Sequence, residues 1–534
     1  MKKLRKILGI AMALALILAL FAACATNGNG DENNQQATTP GDDTTQNNDP
    51  PVNGALSSQH GGVLRVVTTA EGAGPIGLPW EVTANDIWLT FPMMEGLFRE
   101  FQDGTVEGVL AESWEVDQEN MRLNVNLRQG VRFHDGTSFN AEVAAWNLGM
   151  ALEYAAPMAN FSQVDVVGDY EISIHLGAIT NSTVGSFTGV MYSMISMEAY
   201  LANGTEWAEN NPIGTGPFVF VEYVTGSHLI TRRNDDYWNG DLPYLDGLEI
   251  RLISDVMTQT LALQGDGEAT IDVLTTHSGE QVMQFTDLGY QIILSSAQSM
   301  TLIPSSEGTD SPLTNRYVRL ALSYAIDRDA IVAARGMGLW QTTYQYTVPT
   351  RPSWVNDPDY GVPSFNPERA REMLALGGFP DGFSTTLIAQ TGLTDRDSVV
   401  AMQSMLADVG ITASVEFPEA GGLSTMRANG WEGIFVHDIR SLTHMEVSTW
   451  LLFGDALNFF YSLRHTPELQ VLVDAANIVG DNRAELIAIS DYMLDDALII
   501  PLWYLNSATI LRPNVRGWNE DGDMVDYAQV WIDN

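Results

Sequence analysis

Several segments carry side chains whose type and spacing could do chemistry. Gly72-x-Gly74-x-x-Gly77 follows a strand-like run and matches a dinucleotide fingerprint letter for letter. That fingerprint must open a helix whose N-terminus faces a pyrophosphate, and Pro75 inside it and Pro79 after it favour a glycine-rich loop instead. Phe133-His134-Asp135-Gly136 sets an imidazole beside a carboxylate, as in a general-base pair. Asp-Gly between a strand and a capped helix is ordinary turn chemistry, and the segment reads as a turn. His437 and His444, with Asp438 and Glu446, are metal-ligand types, but a seven-residue spacing is not a helical ligand pair. Asp521-x-Asp523-x-x-Asp526 lacks the glycine and distal glutamate of a calcium loop. Gly-x-Ser-x-Gly is absent, and no lysine occurs after Lys6, which removes Schiff-base and Ser/Lys chemistry. None of these segments makes a convincing catalytic constellation, and the expectation is a chain that is not an enzyme and holds no metal and no cofactor.

The elements that must position any site are legible. Val63 to Thr68 predicts a buried strand. Leu123 to Leu127 and Glu171 to Leu176 alternate strictly and predict half-exposed strands. Between them Asn140 caps a helix carrying Val143, Trp146 and Met150 on one face. Phe218 to Tyr223 and His228 to Arg233 predict a hairpin, and Leu248 to Ile253 another strand. Val318, Ala321, Leu322, Ala325 and Ile326 form a helical stripe. Asn366-Pro367 starts a helix that stops at Gly377-Gly378. Thr386 to Ala389, Ile411 to Phe417 and Gly433 to Val436 read as strands between helices in a βαβ arrangement. Leu498 to Leu505 is apolar enough for a central strand.

Composition bounds the partners. The 534 residues contain 67 acidic and 26 basic side chains, for a formal charge of −41. Such a chain is repelled by phosphate backbones, which excludes nucleic acid. Setting aside Lys2, Lys3, Arg5 and Lys6 leaves 22 basic residues, all arginine. Arginine keeps its charge at high pH, so an alkaline or saline habitat and a genomic bias against lysine codons are both open readings. Residues 1–23 combine a basic start with an apolar run from Ile7 to Ala23 and read as a secretory signal peptide. The single cysteine, Cys24, closes Phe21-Ala22-Ala23-Cys24, which resembles a bacterial lipobox; the expectation is a lipidated N-terminus at Cys24. Residues 24–60 are polar and read as a disordered tether holding a globular body at a membrane's outer face. No later apolar run reaches about 18 residues.

Five segments together resemble the extracytoplasmic solute-binding proteins, family 5 (peptide/nickel type), of ABC importers. They are Leu110-Ala111-Glu112-Ser113-Trp114-Glu115, Leu127 to Thr137, Gly214-Thr215-Gly216-Pro217-Phe218, Arg233-Asn234-Asp235-Asp236-Tyr237-Trp238 and Val318 to Arg328. The resemblance implies an α/β, bilobal, periplasmic-binding-protein-like fold with an extra subdomain inserted in the first lobe. Lobe one would comprise 61–90, 209–298 and 499–534, with Leu498 to Leu505 returning to it. The insert would be 91–208 and lobe two 299–498. A peptide-like or other small polar solute would be captured between the lobes and handed to an ABC permease and ATPase complex. Peptide-binding relatives hold the ligand's amino terminus with an aspartate three residues after an aromatic. Phe435-Val436-His437-Asp438 fits that pattern, with Asp438 as the match, although the usual Asp-Pro downstream is replaced by Ile439-Arg440-Ser441. His437 and Arg440 would favour an acidic or chelating solute if they face the cleft. Trp80, Glu81 and Asn85 would stand on the opposite wall. A sensor or adhesion lipoprotein of the same fold, and a secreted hydrolase, are the competing classes.

Overall fold

Val63–Thr68 is a near-continuous aliphatic run, as suits a strand with neighbours on both sides. It pairs parallel with Gly247–Leu252 and with Val273–Thr276. The full seven-stranded order is Gln291–Ser295, Ser507–Leu511, Val273–Thr276, Val63–Thr68, Gly247–Leu252, His228–Arg233, Phe218–Val224. The last two form the expected hairpin, with a bulge between Phe220 and Glu222. This architecture comes from a computed structural model describing residues 60–534 except 69–73, 83–85, 102–103, 156–159, 296–297, 390–393, 441–459, 520–524 and the single positions 268, 309, 350, 352, 419, 481 and 534.

A second, antiparallel sheet has the order Ala111–Asp117, Arg122–Leu127, Glu171–Leu176, Phe161–Gly168. Alternation decides its faces. Leu123, Val125, Leu127, Ile172, Ile174 and Leu176 are buried in one core cluster with Ala144 and Leu148 of the helix Ala141–Ala155. The Asn140 side chain caps that helix, accepting from the Val143 amide at 3.0 Å.

A six-stranded sheet has the order Trp340–Thr342, Ile500–Leu505, Gln298–Pro304, Ile434–Arg440, Phe383–Ala389, Ile411–Glu416. Phe383–Ala389 runs parallel to both Ile411–Glu416 and Ile434–Arg440, which is the expected βαβ pattern with the helix Arg396–Asp408 as one crossover. Cores lie on both faces of this sheet: one contains Ile434, Val436, Leu322 and Met402, the other Phe435, Ile439, Phe460 and Ile489.

One expectation is corrected. The apolar run ending at Leu505 does not return to the first sheet. Ile500–Leu505 pairs antiparallel with Gln298–Pro304 and Trp340–Thr342. All six of its residues are buried, and a strand apolar on both faces needs a sheet covered on both faces, which the six-stranded sheet provides. Trp503 stacks on Trp340 with ring centroids 5.0 Å apart. The return to the first sheet is made one residue later, by Ser507–Leu511. Among the described residues the chain therefore passes between the two large sheets twice, after Ser295 and at Asn506.

Candidate ligand-binding site

The strand Ile434–Arg440 continues past the position where the sequence suggested it would end. Phe435, His437 and Ile439 alternate onto one face; Phe435 and Ile439 lie in that face's core with Trp431 and Phe460. The Phe435 and His437 rings are 5.0 Å apart, and His437 meets Phe460 edge-on at 5.8 Å and 86°. Trp431 packs on Phe435 at 5.2 Å. These four rings form an aromatic wall.

Asp438 lies in the strand, opposite Met300, and is only 5% exposed. A carboxylate so buried needs compensating charge or hydrogen bonds. Its Oδ1 is 3.4 Å from His437 Nδ1, and the same ring nitrogen bonds the Asp438 carbonyl oxygen at 2.5 Å. The Thr301 hydroxyl donates to the His437 carbonyl at 2.9 Å. A guanidinium also acts on Asp438: burial lowers Arg427 from its usual range, and the Asp438 charge acts to raise it. Arg427, on the helix Ala420–Asn429, was not singled out from the sequence. The signal was faint: it is an arginine in a chain poor in cations, eleven residues ahead of the carboxylate.

The other expected wall, Trp80 and Glu81, packs within the first half of the chain. Trp80 is 7% exposed and packs edge-on against Trp146 at 6.1 Å and Tyr200 at 6.3 Å. It belongs to a core cluster with Leu229 and Ile250, and among the described residues its indole N–H has no hydrogen-bond partner. Glu81 is half-buried and bonds the Tyr154 hydroxyl. The structure thus brings Trp80 and Glu81 together with inserted-subdomain aromatics, and Phe435, His437 and Asp438 together on the second large sheet. Asn85 lies outside the described residues, as do Cys24, His444 and Glu446. Arg440 closes the strand opposite Gln298, and its side chain is outside the described part. Among the described residues no group of three or more His, Cys, Asp or Glu is arranged to hold a metal, and no helix is long and apolar enough to cross a membrane.

The remaining sequence motifs converge on a structural joint. Glu95 is half-buried where the insert meets the segments that flank the first sheet's hairpin. The Tyr237 hydroxyl donates to its Oε1 at 2.7 Å; the Trp238 indole N–H and the Thr215 hydroxyl donate to its Oε2 at 2.9 and 2.8 Å. Burial pushes the Glu95 carboxyl up to about 7, although the three donors pull it down. Beside it, His134 Nε2 donates to the Gly216 carbonyl at 3.0 Å, which also accepts from the Asn234 side chain. Burial pushes this imidazole down to about 4. The Phe133 carbonyl accepts from the Gly136 amide at 2.8 Å, and Gly136 has φ of +86°; this is the expected turn. Of the glycine-rich segment, Gly77 is a packing position: a Cβ there would lie 1.9 Å from the Ala208 carbonyl oxygen. In the last motif Arg328 donates to the Pro501 carbonyl at 2.7 Å and Arg319 to the Asp496 carbonyl at 2.9 Å, tying a helix to the six-stranded sheet.

The comparisons agree with this architecture. Residues 105–458 match the bacterial extracellular solute-binding proteins, family 5 Middle. The glutathione-binding protein GsiB of Pectobacterium atrosepticum is 29% identical over 338 residues, 61% of this chain and 64% of that protein. GsiB of Salmonella typhi is 30% identical over 334 residues with the same shares, so the chain spans about 64% of the length of these relatives. Among solved structures, NikA from Brucella suis in complex with Fe(III)-EDTA superposes with a TM-score of 0.77 at 20% identity, covering 88% of this chain and 100% of that one. AppA from Bacillus subtilis in complex with a nonapeptide gives 0.72 at 22% identity, covering 89% and 100%. At such identities these structures speak to the fold, which is the bilobal one. With two large sheets, an inserted antiparallel sheet and a match over most of its length, the chain belongs to the bacterial extracellular solute-binding proteins of family 5.

Proposed function

We propose that this protein is the lipid-anchored solute-binding component of an ABC importer. It captures a peptide-like or other small polar solute between its lobes and delivers it, unaltered, to a membrane permease. The observation that carries this reading is Asp438, a nearly buried carboxylate in the strand, three residues after Phe435, the pattern in which the sequence resembles the ligand aspartate of peptide-binding relatives. The solute class is supported by the glutathione-binding relatives. Because His437 and Arg427 already act on Asp438, a ligand ammonium is one partner among several there, and polar solutes without a free amine remain within the class.

A thermal-shift screen of reduced glutathione, di- to pentapeptides and metal chelates tests the proposal. A true solute at ~100 times its dissociation constant stabilises the fold by about 2.7 kcal/mol. It should also reduce the radius of gyration, since it contacts both lobes only when they close. A solute that binds with no change in either quantity contradicts capture between the lobes.

A further inference from the structure

The two halves of the molecule touch at a place unrelated to the chain connections between the sheets. Asn181 lies in the loop after the inserted-sheet strand Glu171–Leu176. Its Nδ2 donates to the Ile478 carbonyl at 3.0 Å, and its Oδ1 accepts from the Gly480 amide at 2.7 Å. Ile478 and Gly480 lie between the helices Pro467–Ala476 and Arg483–Asp495, whose side chains pack on the six-stranded sheet. One side-chain amide thus pairs with residues i and i+2 of a distant backbone, as a neighbouring β-strand would.

Both partners are held in place before they meet. On the insert side, the Asn160 side chain clasps Ala178 through its amide and its carbonyl, each at 2.9 Å. The buried Thr183 hydroxyl accepts from the Thr180 amide at 2.7 Å. On the other side, Asn482 Nδ2 donates to the Ala476 carbonyl at 2.9 Å, and Gly480 turns the chain at φ of +143°. The insert is in turn fixed to the first sheet by the Glu95 joint described above. A contact at Asn181 therefore joins the first lobe to the second.

We infer that Asn181 is a latch that holds the two lobes together. Its chemistry suits its surroundings. The chain carries 67 acidic and 26 basic residues, so two acidic bodies repel as they approach. A neutral amide offers both a donor and an acceptor and adds no charge to that gap. Aspartate at this position would lose the donor, place an anion against the Ile478 carbonyl and add to the repulsion. The inference rests on the bilobal capture reading for its purpose, but its test needs no solute.

The experiment is hydrogen exchange by mass spectrometry on the full chain, with small-angle scattering on the same samples, for wild type, Asn181→Ala and Asn181→Asp. The Gly480 amide should be protected in wild type. It should exchange about tenfold faster or more in Asn181→Ala, the scale of losing one or two hydrogen bonds. Asn181→Asp, which loses the donor, keeps an acceptor for the Gly480 amide and adds a charge to the gap, should fall between the two in Gly480 exchange, and the radius of gyration should rise in both variants. Amides of the flanking helices should keep their protection in all three proteins, which separates loss of the latch from loss of the fold. An unprotected Gly480 amide in wild type, or equal protection in wild type and Asn181→Ala, overturns the inference. Because no solute is present, either result stands apart from whether a solute is ever found.

Discussion

Glu95 and His134 are half-buried and bond to the adjacent residues Thr215 and Gly216, and their titrations oppose each other. The Glu95 carboxyl has a folded value of about 7 against an ordinary 4.5, so folding favours its protonated form. That contribution is complete below pH 4.5 and is lost as pH rises through 7. His134 has a folded value of about 4 against 6.5, so folding favours its neutral form. Its contribution is complete above pH 6.5 and is lost as pH falls through 4. Each shift corresponds to about 3 kcal/mol at full extent. Between pH 5 and 6.5 the two slopes nearly cancel. We predict that Glu95→Gln makes the melting temperature climb with pH across this window, whereas His134→Gln makes it fall; three parallel curves for the two variants and wild type would refute the assignment. Asp438 gives a second prediction at this scale. With His437 beside it and the half-buried Arg427 guanidinium acting on it, Asp438→Ala removes the charge opposite Arg427, and stability should drop by roughly 1–2 kcal/mol in denaturant titration. If a ligand ammonium is its main partner instead, calorimetry with an identified solute should show the larger loss in affinity, roughly 2–5 kcal/mol. Arg427→Ala, compared in the same two assays, separates the cases.

The glycines of Gly214-Thr215-Gly216 show why this motif marks a fold. A Cβ on Gly214 would lie 2.1 Å from the Met93 carbonyl oxygen, and one on Gly216 would lie 2.6 Å from the Met93 carbonyl carbon. Both obstacles are backbone and cannot rotate away. Gly214→Ala should therefore destabilise the protein by more than about 3 kcal/mol, a cost typical of overpacking that must move main chain; an unchanged melting temperature would show that the segments are not packed this closely. The strands and helices were legible because their period and caps are local: the alternation at Leu123, Val125 and Leu127, and the Asn366-Pro367 start, where the Asn366 side chain accepts from the Arg369 amide at 2.9 Å. What local pattern cannot carry is the choice of partner. The run Ile500–Leu505 declares itself buried on both faces, but nothing in its six residues says which sheet covers it. The site was partly legible for the same reason. Phe435 and Asp438 were singled out by resemblance to a relatives' pattern, whereas Arg427 acts on Asp438 from a separate helix, and Trp80 joined a core whose other rings, Trp146 and Tyr200, lie more than sixty residues away in sequence.

At the scale of the whole molecule, the proposed anchor makes Cys24 the residue that decides location. Cys24→Ala should move the protein from the membrane fraction to the medium, since stable anchoring takes more than one acyl chain; equal retention of the variant counts against lipidation. The same scale brings out what the two passages between the large sheets imply. A body tied to another at two points keeps one rotation, about the line through those points. Here one point follows Ser295 and the other is Asn506, the single residue between strands of different sheets. An opening of the lobes turns in part on the torsion angles of Asn506, while the sheets on either side, with their ladders intact, travel as solid plates. A side chain's excursion is then set by its perpendicular distance from that axis, so that a turn of a few degrees hardly stirs Asn506 and is greatest for the atoms farthest out along each plate.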